Sequence, residues 1–255
     1  MTQASPFAPQ DRLDGKVAVI AGGTGAIGHA SARRLAARGA RCVLLHRDDP
    51  GAHSRLAELP GQGHAEISAS ITDSQTLRAA AGRVRAEFGT CHILVNSAGY
   101  TKPVPAADLD GLTDELIDDI LKVNFRGVFA TIRAFAPLLR ESGDGVIVTL
   151  SSIAAFTGVG SNLAYVAAKA SVDVVGEALA RVLAPQVRVL SVSPGVVDSG
   201  FVPGRGADFN DKTAATTPLG RIGTPEDIAA AVEACATSLR FATGTRIVVD
   251  GGRHL

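Results

Sequence analysis

Charge imbalance is missing from this 255-residue chain: 25 basic side chains meet 25 acidic ones, for a formal net charge of zero at pH 7. A nucleic acid or an anionic membrane surface would want a basic face, so neither is expected as a partner. Cysteine is scarce, and Cys42, Cys91 and Cys235 are scattered, odd in number and without a CxxC pair. That excludes a disulfide framework or zinc knuckle and points to a reducing compartment, the cytoplasm. The histidines (His29, His46, His53, His64, His92, His254) show no HExxH or paired spacing, so no metal site is expected. No apolar stretch opens the chain, and residues 1–15, polar and proline-containing, read as a disordered leader. One long run, from Gly145 to Ala168, lacks charge altogether. Ser151, Ser152, Gly158, Gly160, Ser161 and Asn162 break it, so it reads as protein interior holding a buried site, and no membrane span is expected.

What is present is a globular composition, 46% hydrophobic and 20% charged. Short β-branched apolar runs at 16–21, 41–46, 66–69, 92–96, 145–150, 187–192 and 246–250 read as strands. Between them, apolar residues recur at helical spacing over 27–37, 77–88, 116–139, 163–183 and 228–236. Gly39 stands where a helix C-terminal glycine belongs, and Thr224-Pro225-Glu226-Asp227 carries the signature of a helix N-terminus. The continuously apolar runs 17–20 and 146–148 suit strands buried on both faces. The alternation predicts an α/β fold: one Rossmann-like, doubly wound parallel sheet of about seven strands, with helices on both faces. No break in composition divides 16–255, so a single domain is expected. The aperiodic segment 195–218, with Phe201, Val202 and Phe209, reads as a substrate lid.

Two motifs carry chemistry. The first strand runs into Gly22-Gly23-Thr24-Gly25-Ala26-Ile27-Gly28, and Gly23, Gly25 and Gly28 satisfy GxGxxG. Glycines there allow a tight turn and close approach of backbone to a pyrophosphate, which the helix N-terminus attracts. An ordinary tight βα turn is the alternative. The second motif is Tyr165 and Lys169, four residues apart on one helix face, with Ser152 upstream at a strand end. An ammonium about 5 Å from a phenolate stabilises it by about 3 kcal/mol at an effective dielectric near 20. That favours acid–base work by the phenol near neutrality. The alternative, a surface Tyr/Lys pair, is weakened because the chain has only two tyrosines and this one follows the uncharged run.

From about Gly15 to Gly252 the chain resembles a classical short-chain dehydrogenase/reductase. The motifs come in family order: the glycine loop, Asn96-Ser97-Ala98-Gly99, Asn124, Ser152, Tyr165/Lys169, Pro194-Gly195 and Val249-Asp250-Gly251-Gly252. The resemblance implies hydride transfer between a nicotinamide cofactor and a carbonyl or secondary alcohol. It makes Tyr165 the general acid/base, puts Ser152 on the substrate oxygen and Lys169 on the nicotinamide ribose, and has Asn124 hold a relay water. Cofactor contacts would fall on Gly22, Gly23, Thr24, Gly25, Ala26, Ile27 and Gly28, on His46 and Arg47, and on Ser70 and Ile71. Asn96, Ser97, Ala98, Gly99, Pro194, Gly195, Val197 and Ser199 complete the set, beside Tyr165 and Lys169. The helices at 116–139 and 163–183 would pair across subunits in a homotetramer.

The chain departs from the family pattern at Ala21 and Ala26 in the loop, at Ser97 for the usual Asn, and at Ser70 where an Asp commonly meets the adenine. Gly22, Gly25 and Gly28 are instead spaced as in the extended branch, which leaves a non-redox epimerase or dehydratase open, although the larger C-terminal domain of that branch has no room here. A catalytically idle dinucleotide-binding regulator is a further alternative, opposed by the complete Asn124/Ser152/Tyr165/Lys169 set. By alignment with the family, His46 takes the place of the acid that grips the ribose of NAD, and Arg47 follows with a planar fork suited to a 2′-phosphate. NADP(H) is therefore expected ahead of NAD(H). Asp48 and Asp49, before Pro50, read as the preface of a helix. Tyr100, Phe156, Val159, Leu163 and Phe201 are the expected pocket lining for a small-molecule substrate, with Lys102, Arg205 and Lys212 as candidates for an anionic tail. Asp114, Glu115, Asp118 and Asp119 read as a solvated helix start.

Overall fold

Seven parallel strands form one sheet in a computed structural model that describes residues 11–204, 206 and 208–255. They are β1 (Val17–Ala21), β2 (Arg41–His46), β3 (Ala65–Ser68), β4 (Ile93–Asn96), β5 (Gly145–Leu150), β6 (Val187–Pro194) and β7 (Thr245–Val249). Every strand read from the sequence is present, with ends moved by a residue or two. Their order is β3-β2-β1-β4-β5-β6-β7. After β3 the chain crosses back over β1 to build β4, so the winding reverses between β1 and β4, where such sheets open a crevice at the strand carboxyl ends.

Both faces are covered because the strands are apolar on both sides. One face packs α3 (Ser74–Phe88), α5 (Val128–Glu141) and α7 (Leu163–Leu183) over Val19, Leu94 and Ile147, with Phe135 fully buried among them. The other packs α1 (Ala26–Ala37) and α9 (Pro225–Ala236) over Ile20, Leu44 and Val148. Glu233 of α9 is buried, and Arg34 and Arg38 of α1 both reach its carboxylate, Arg34 Nε at 2.6 Å. Thr224 caps α9 in a reciprocal box: its hydroxyl accepts from Asp227 N–H, and the Asp227 carboxylate accepts from Thr224 N–H. The hydrogen bond from Arg221, reinforced by Thr224 N–H, holds the Asp227 carboxyl well below the usual carboxylate range.

Several expectations are corrected. Leu13, placed in the disordered leader, is buried, and its N–H donates to Arg38 O at 2.8 Å. The apolar side chain joins the core below α1, so order begins before residue 16; residues 1–10 lie outside the described part. The helix expected at 116–139 is α4 (Asp114–Leu121), a π-helical turn (Lys122–Gly127) and α5 in succession. The wide turn brings Gly127 onto Ile71, whose Cδ1 would lie 2.9 Å from an added Cβ. Three short helices, α2 (Ala52–Ala57), α6 (Ala154–Thr157) and α8 (Phe209–Ala215), add less than two turns each and are too short to show a period. The last lies within the segment expected to be irregular.

All three thiols are buried, and burial pushes Cys42 and Cys91 up to about 12 and Cys235 to about 11. Among the described residues, no helix is long and apolar enough to cross a membrane, and no cluster of His, Cys, Asp and Glu could hold a metal ion.

Candidate active site

The glycine loop between β1 and α1 is shaped by close packing. Gly22 has φ +75°, and a Cβ there would meet Ala98 N at 2.7 Å. At Gly28 a Cβ would fall 2.1 Å from Gly22 O. Gly25 has only Gly22 O nearby, at 3.4 Å, so the loop leaves this side open. Gly25 is also the N-cap of α1, which has no side-chain cap and no acid in its first turn. Unclaimed N–H groups at a helix N-terminus attract an anion. Next to β1, Asn96 is buried with its Oδ1 accepting no hydrogen bond, and on β6 the Ser193 hydroxyl is likewise without a partner. These features fit a dinucleotide pyrophosphate lying across the sheet's crevice.

Beyond the loop, His46 ends β2, and its Nδ1 accepts from Asp49 N–H at 3.1 Å, which leaves the ring proton on Nε2. The acids after Arg47 are engaged elsewhere. Asp48, at φ 46°, accepts from the Ser68 hydroxyl at 2.8 Å. A hydrogen bond from Thr24 of the glycine loop, with another from Gly51 N–H, holds the Asp49 carboxyl below its ordinary value. The N-cap of α2 is therefore Gly51, and the expected Asp48–Asp49 cap is corrected, because these side chains bond to the loop and to β3. Ser70, after β3, shares a hydrogen bond with Thr72, Oγ to Oγ1 at 2.9 Å, and Ile71 packs on the π-helical turn.

The catalytic candidates sit on the next two strand ends. Ser152 follows β5, and its hydroxyl accepts from Ala154 N–H at 3.1 Å, starting α6. Asn162 caps α7 by accepting from Tyr165 N–H at 2.7 Å, which places Tyr165 in the first turn and Lys169 one turn on. Lys169 is buried; its Nζ lies 5.5 Å from the Tyr165 ring centroid and donates to Leu150 O at 2.7 Å. Burial pushes this ammonium down to about 8, against the opposing pull of Asp173 a further turn along. Asp173 is itself buried, and Arg246 of β7 faces it at 3.6 Å.

Asn124 lies in the π-helical turn, fully buried. Its Nδ2 donates to Tyr100 O at 2.7 Å and to Ile120 O at 2.9 Å, while Oδ1 accepts from Tyr100 N–H at 3.2 Å. The side chain thus clamps the loop after β4.

Ser152, Tyr165, Ser97, Pro194, Gly195, Val197 and Ser199 open on one cleft of about 980 Å³. Phe201, Val202 and Phe209 close it from the segment expected to be a lid. Of the expected lining, Val159 and Phe201 belong to its wall; Tyr100, Phe156 and Leu163 do not. The Tyr100 side chain is exposed, its backbone being held by Asn124, and Phe156 packs on His254, ring centroids 5.6 Å apart. Lys102 and Lys212 are also absent from the wall, Lys212 being paired with Asp208, and Arg205 lies outside the described residues. Among the described residues, the basic groups that do line the cleft are Arg253 and His254. Sequence reasoning stopped at Gly252 and missed them, although they directly follow β7, whose end shares the edge with every site loop. Asp114, Glu115, Asp118 and Asp119 are exposed on α4, as a solvated face should be.

The fold and this cleft define a class: a doubly wound dinucleotide-binding protein with a serine, a tyrosine and a buried lysine converging at strand carboxyl ends. A family profile described as Enoyl-(Acyl carrier protein) reductase matches residues 22–254. A D-threitol dehydrogenase of Mycolicibacterium smegmatis is 36% identical, over 99% of this chain and 98% of its own. Among solved structures, a short-chain dehydrogenase/reductase (glucose/ribitol dehydrogenase) of Brucella melitensis superposes with a TM-score of 0.89 at 31% identity, covering 96% of this chain and 98% of that one. An NADPH-dependent 3-quinuclidinone reductase of Rhodotorula rubra gives 0.87 at 27%, covering 99% and 98%. The chain belongs to the classical short-chain dehydrogenase/reductase family. It is an oxidoreductase acting on CH–OH or C=O groups with a nicotinamide cofactor, which sets aside the non-redox and idle-regulator alternatives.

Proposed function

We propose that the protein is an NADP(H)-dependent dehydrogenase/reductase of a carbonyl or secondary alcohol, with Tyr165 as its acid/base and a homotetramer as its assembly. The observation that carries the mechanism is Lys169, buried 5.5 Å from the Tyr165 ring at the cleft that Ser152 and Tyr165 line. When bound, the nicotinamide cofactor supplies or takes the hydride at the substrate carbon. In the reducing direction, Tyr165 Oη gives its proton to the carbonyl oxygen as charge develops there, and Ser152 Oγ donates a hydrogen bond to the same oxygen. The neighbouring ammonium stabilises the phenolate left behind. In the oxidising direction the phenolate takes the alcohol proton back. The apolar lid residues Phe201, Val202 and Phe209 exclude water while this happens.

NADP(H) is supported by the absence of an acid at position 46, by the Nε2–H that His46 presents, and by Asp48 and Asp49 being bonded within the protein. The NADPH dependence of the similar Rhodotorula reductase agrees with it. The homotetramer is supported by Phe129 on α5 and Val174 and Val182 on α7, large apolar side chains left exposed on the two helices.

The deciding experiment is Tyr165→Phe, which removes the proton donor and keeps the ring. Turnover should fall by at least about 10²-fold while cofactor affinity holds within a few-fold. Near-wild-type turnover would overturn the mechanism.

A further inference from the structure

We infer that the cleft takes a carbonyl or alcohol substrate bearing an anionic group, a carboxylate or phosphate, which Arg253 and His254 receive at the end remote from the reacting carbon. This rests on the reading of the cleft as the site of carbonyl reduction, and it names the substrate class of that site.

The charge of the wall is one-sided. Among the described residues, Arg253 and His254 are its basic groups, and no aspartate or glutamate lines it. Arg253 is half-committed: Nη1 donates to Thr216 Oγ1 at 3.0 Å and, at 3.3 Å, to Thr213 O and Thr217 Oγ1. Those bonds anchor the guanidinium to α8 and its C-terminal turn. Nε and Nη2 make no hydrogen bond among the described residues, and no carboxylate pairs with the group there. A held guanidinium with spare donors in one plane matches a planar or tetrahedral oxyanion.

His254 is aimed from behind. The Asp250 carboxylate accepts from its backbone N–H at 2.8 Å and lies 2.8 Å from its Nδ1. The Asp250 side chain is buried, and Gly252 N–H also donates to it at 2.9 Å. When the ring carries both protons, Nδ1–H is held by this carboxylate and Nε2–H is the donor left to meet an anion. Phe156 packs edge-on against the imidazole and fixes its plane.

The two ends of the cleft are joined by α6. Ser152 accepts from the first N–H of α6, Phe156 lies on that helix, and the His254 ring packs on Phe156 with centroids 5.6 Å apart. Val159, Phe201, Val202 and Phe209 supply the apolar walls between.

The test uses the full chain with three matched ketones: a keto acid, its primary amide, and a phosphate ester of the same length. Affinities by titration calorimetry and kcat/KM are measured for each. In the wild type, acid or phosphate should exceed the amide by about 10- to 100-fold in both readouts, the value of a charge-assisted contact. Whichever anion leads identifies the source. Arg253→Gln should bring the ratio to within about 3-fold of unity, and His254→Gln should lower it partway. Using the ratio cancels any loss from a loosened lid, which affects charged and neutral ligands alike. A wild-type ratio near one for both anions, or an undiminished ratio in Arg253→Gln, overturns the inference. Selective anion binding without turnover of any ketone would instead overturn the carbonyl-reduction reading and leave the anion site standing.

Discussion

Single side chains decide proton and cofactor chemistry here. Lys169 depends on a balance between burial, which lowers it to about 8, and the Asp173 carboxylate, which raises it. If the ammonium must be charged, kcat/KM should fall as pH rises through about 8. Asp173→Asn removes the raising charge, with Arg246 the cation left facing the pair, so the basic limb should move to lower pH. A limb that stayed in place, or rose, would detach Asp173 from the lysine. Arg47 is the second such residue. Arg47→Ala should reduce kcat/KM for NADP(H) by about 10- to 100-fold and leave NAD(H) nearly unchanged, the loss expected for one charged hydrogen-bond partner. Equal losses with both cofactors, or a wild-type preference for NAD(H), would assign Arg47 to the adenine instead. Single residues were also where the sequence was hardest to read. The reach of Asp49 to Thr24 and of Asn124 to Tyr100 depends on loops that only the folded sheet brings together.

Among the elements, α9 shows how local chemistry can be read directly. Thr224-Pro225-Glu226-Asp227 announces an N-cap, and the structure forms the full reciprocal box there. Thr224→Ala should cost about 1 kcal/mol, seen in thermal unfolding as a fall of about 2–4 °C in Tm. An unchanged Tm would mean that packing against α1 alone sets the start of α9. The strands were legible for a related reason: both-face burial demands continuous apolar runs, and few other patterns imitate them. The glycine loop and the Tyr165/Lys169 pair were legible because each needs fixed residue types at fixed spacing. Three kinds of element escaped. Short α6 and α8 contain too few residues for a period, and the π-helical turn inside 116–139 follows from Asn124 and Gly127 meeting partners on other elements. The basic end of the cleft was missed because Arg253 and His254 become wall residues only when β7 has been laid beside β6.

At the scale of the whole molecule, every candidate site loop leaves the same edge of one parallel sheet, so α5 and α7, which cover one face, remain available for assembly. Val174 and Val182 are each 65% exposed, a poor arrangement for a lone chain and an ordinary one for a symmetric interface. Light scattering should report a tetramer at micromolar concentration, and Val174→Asp with Val182→Asp should yield a smaller species; a wild-type monomer would refute the assembly. The three buried cysteines have a consequence of another kind. A thiol reagent attacks the thiolate, and these sulfurs are both sealed from solvent and held protonated well above neutrality. Labelling can then proceed only as fast as the chain opens, so the native protein carries its own clock for opening. Cys42 on β2 and Cys91 before β4 would time the half of the sheet around the glycine loop, and Cys235 on α9 the helix layer behind it. Three adduct masses appearing together would mean one cooperative opening, and staggered ones would rank the layers by their local stability.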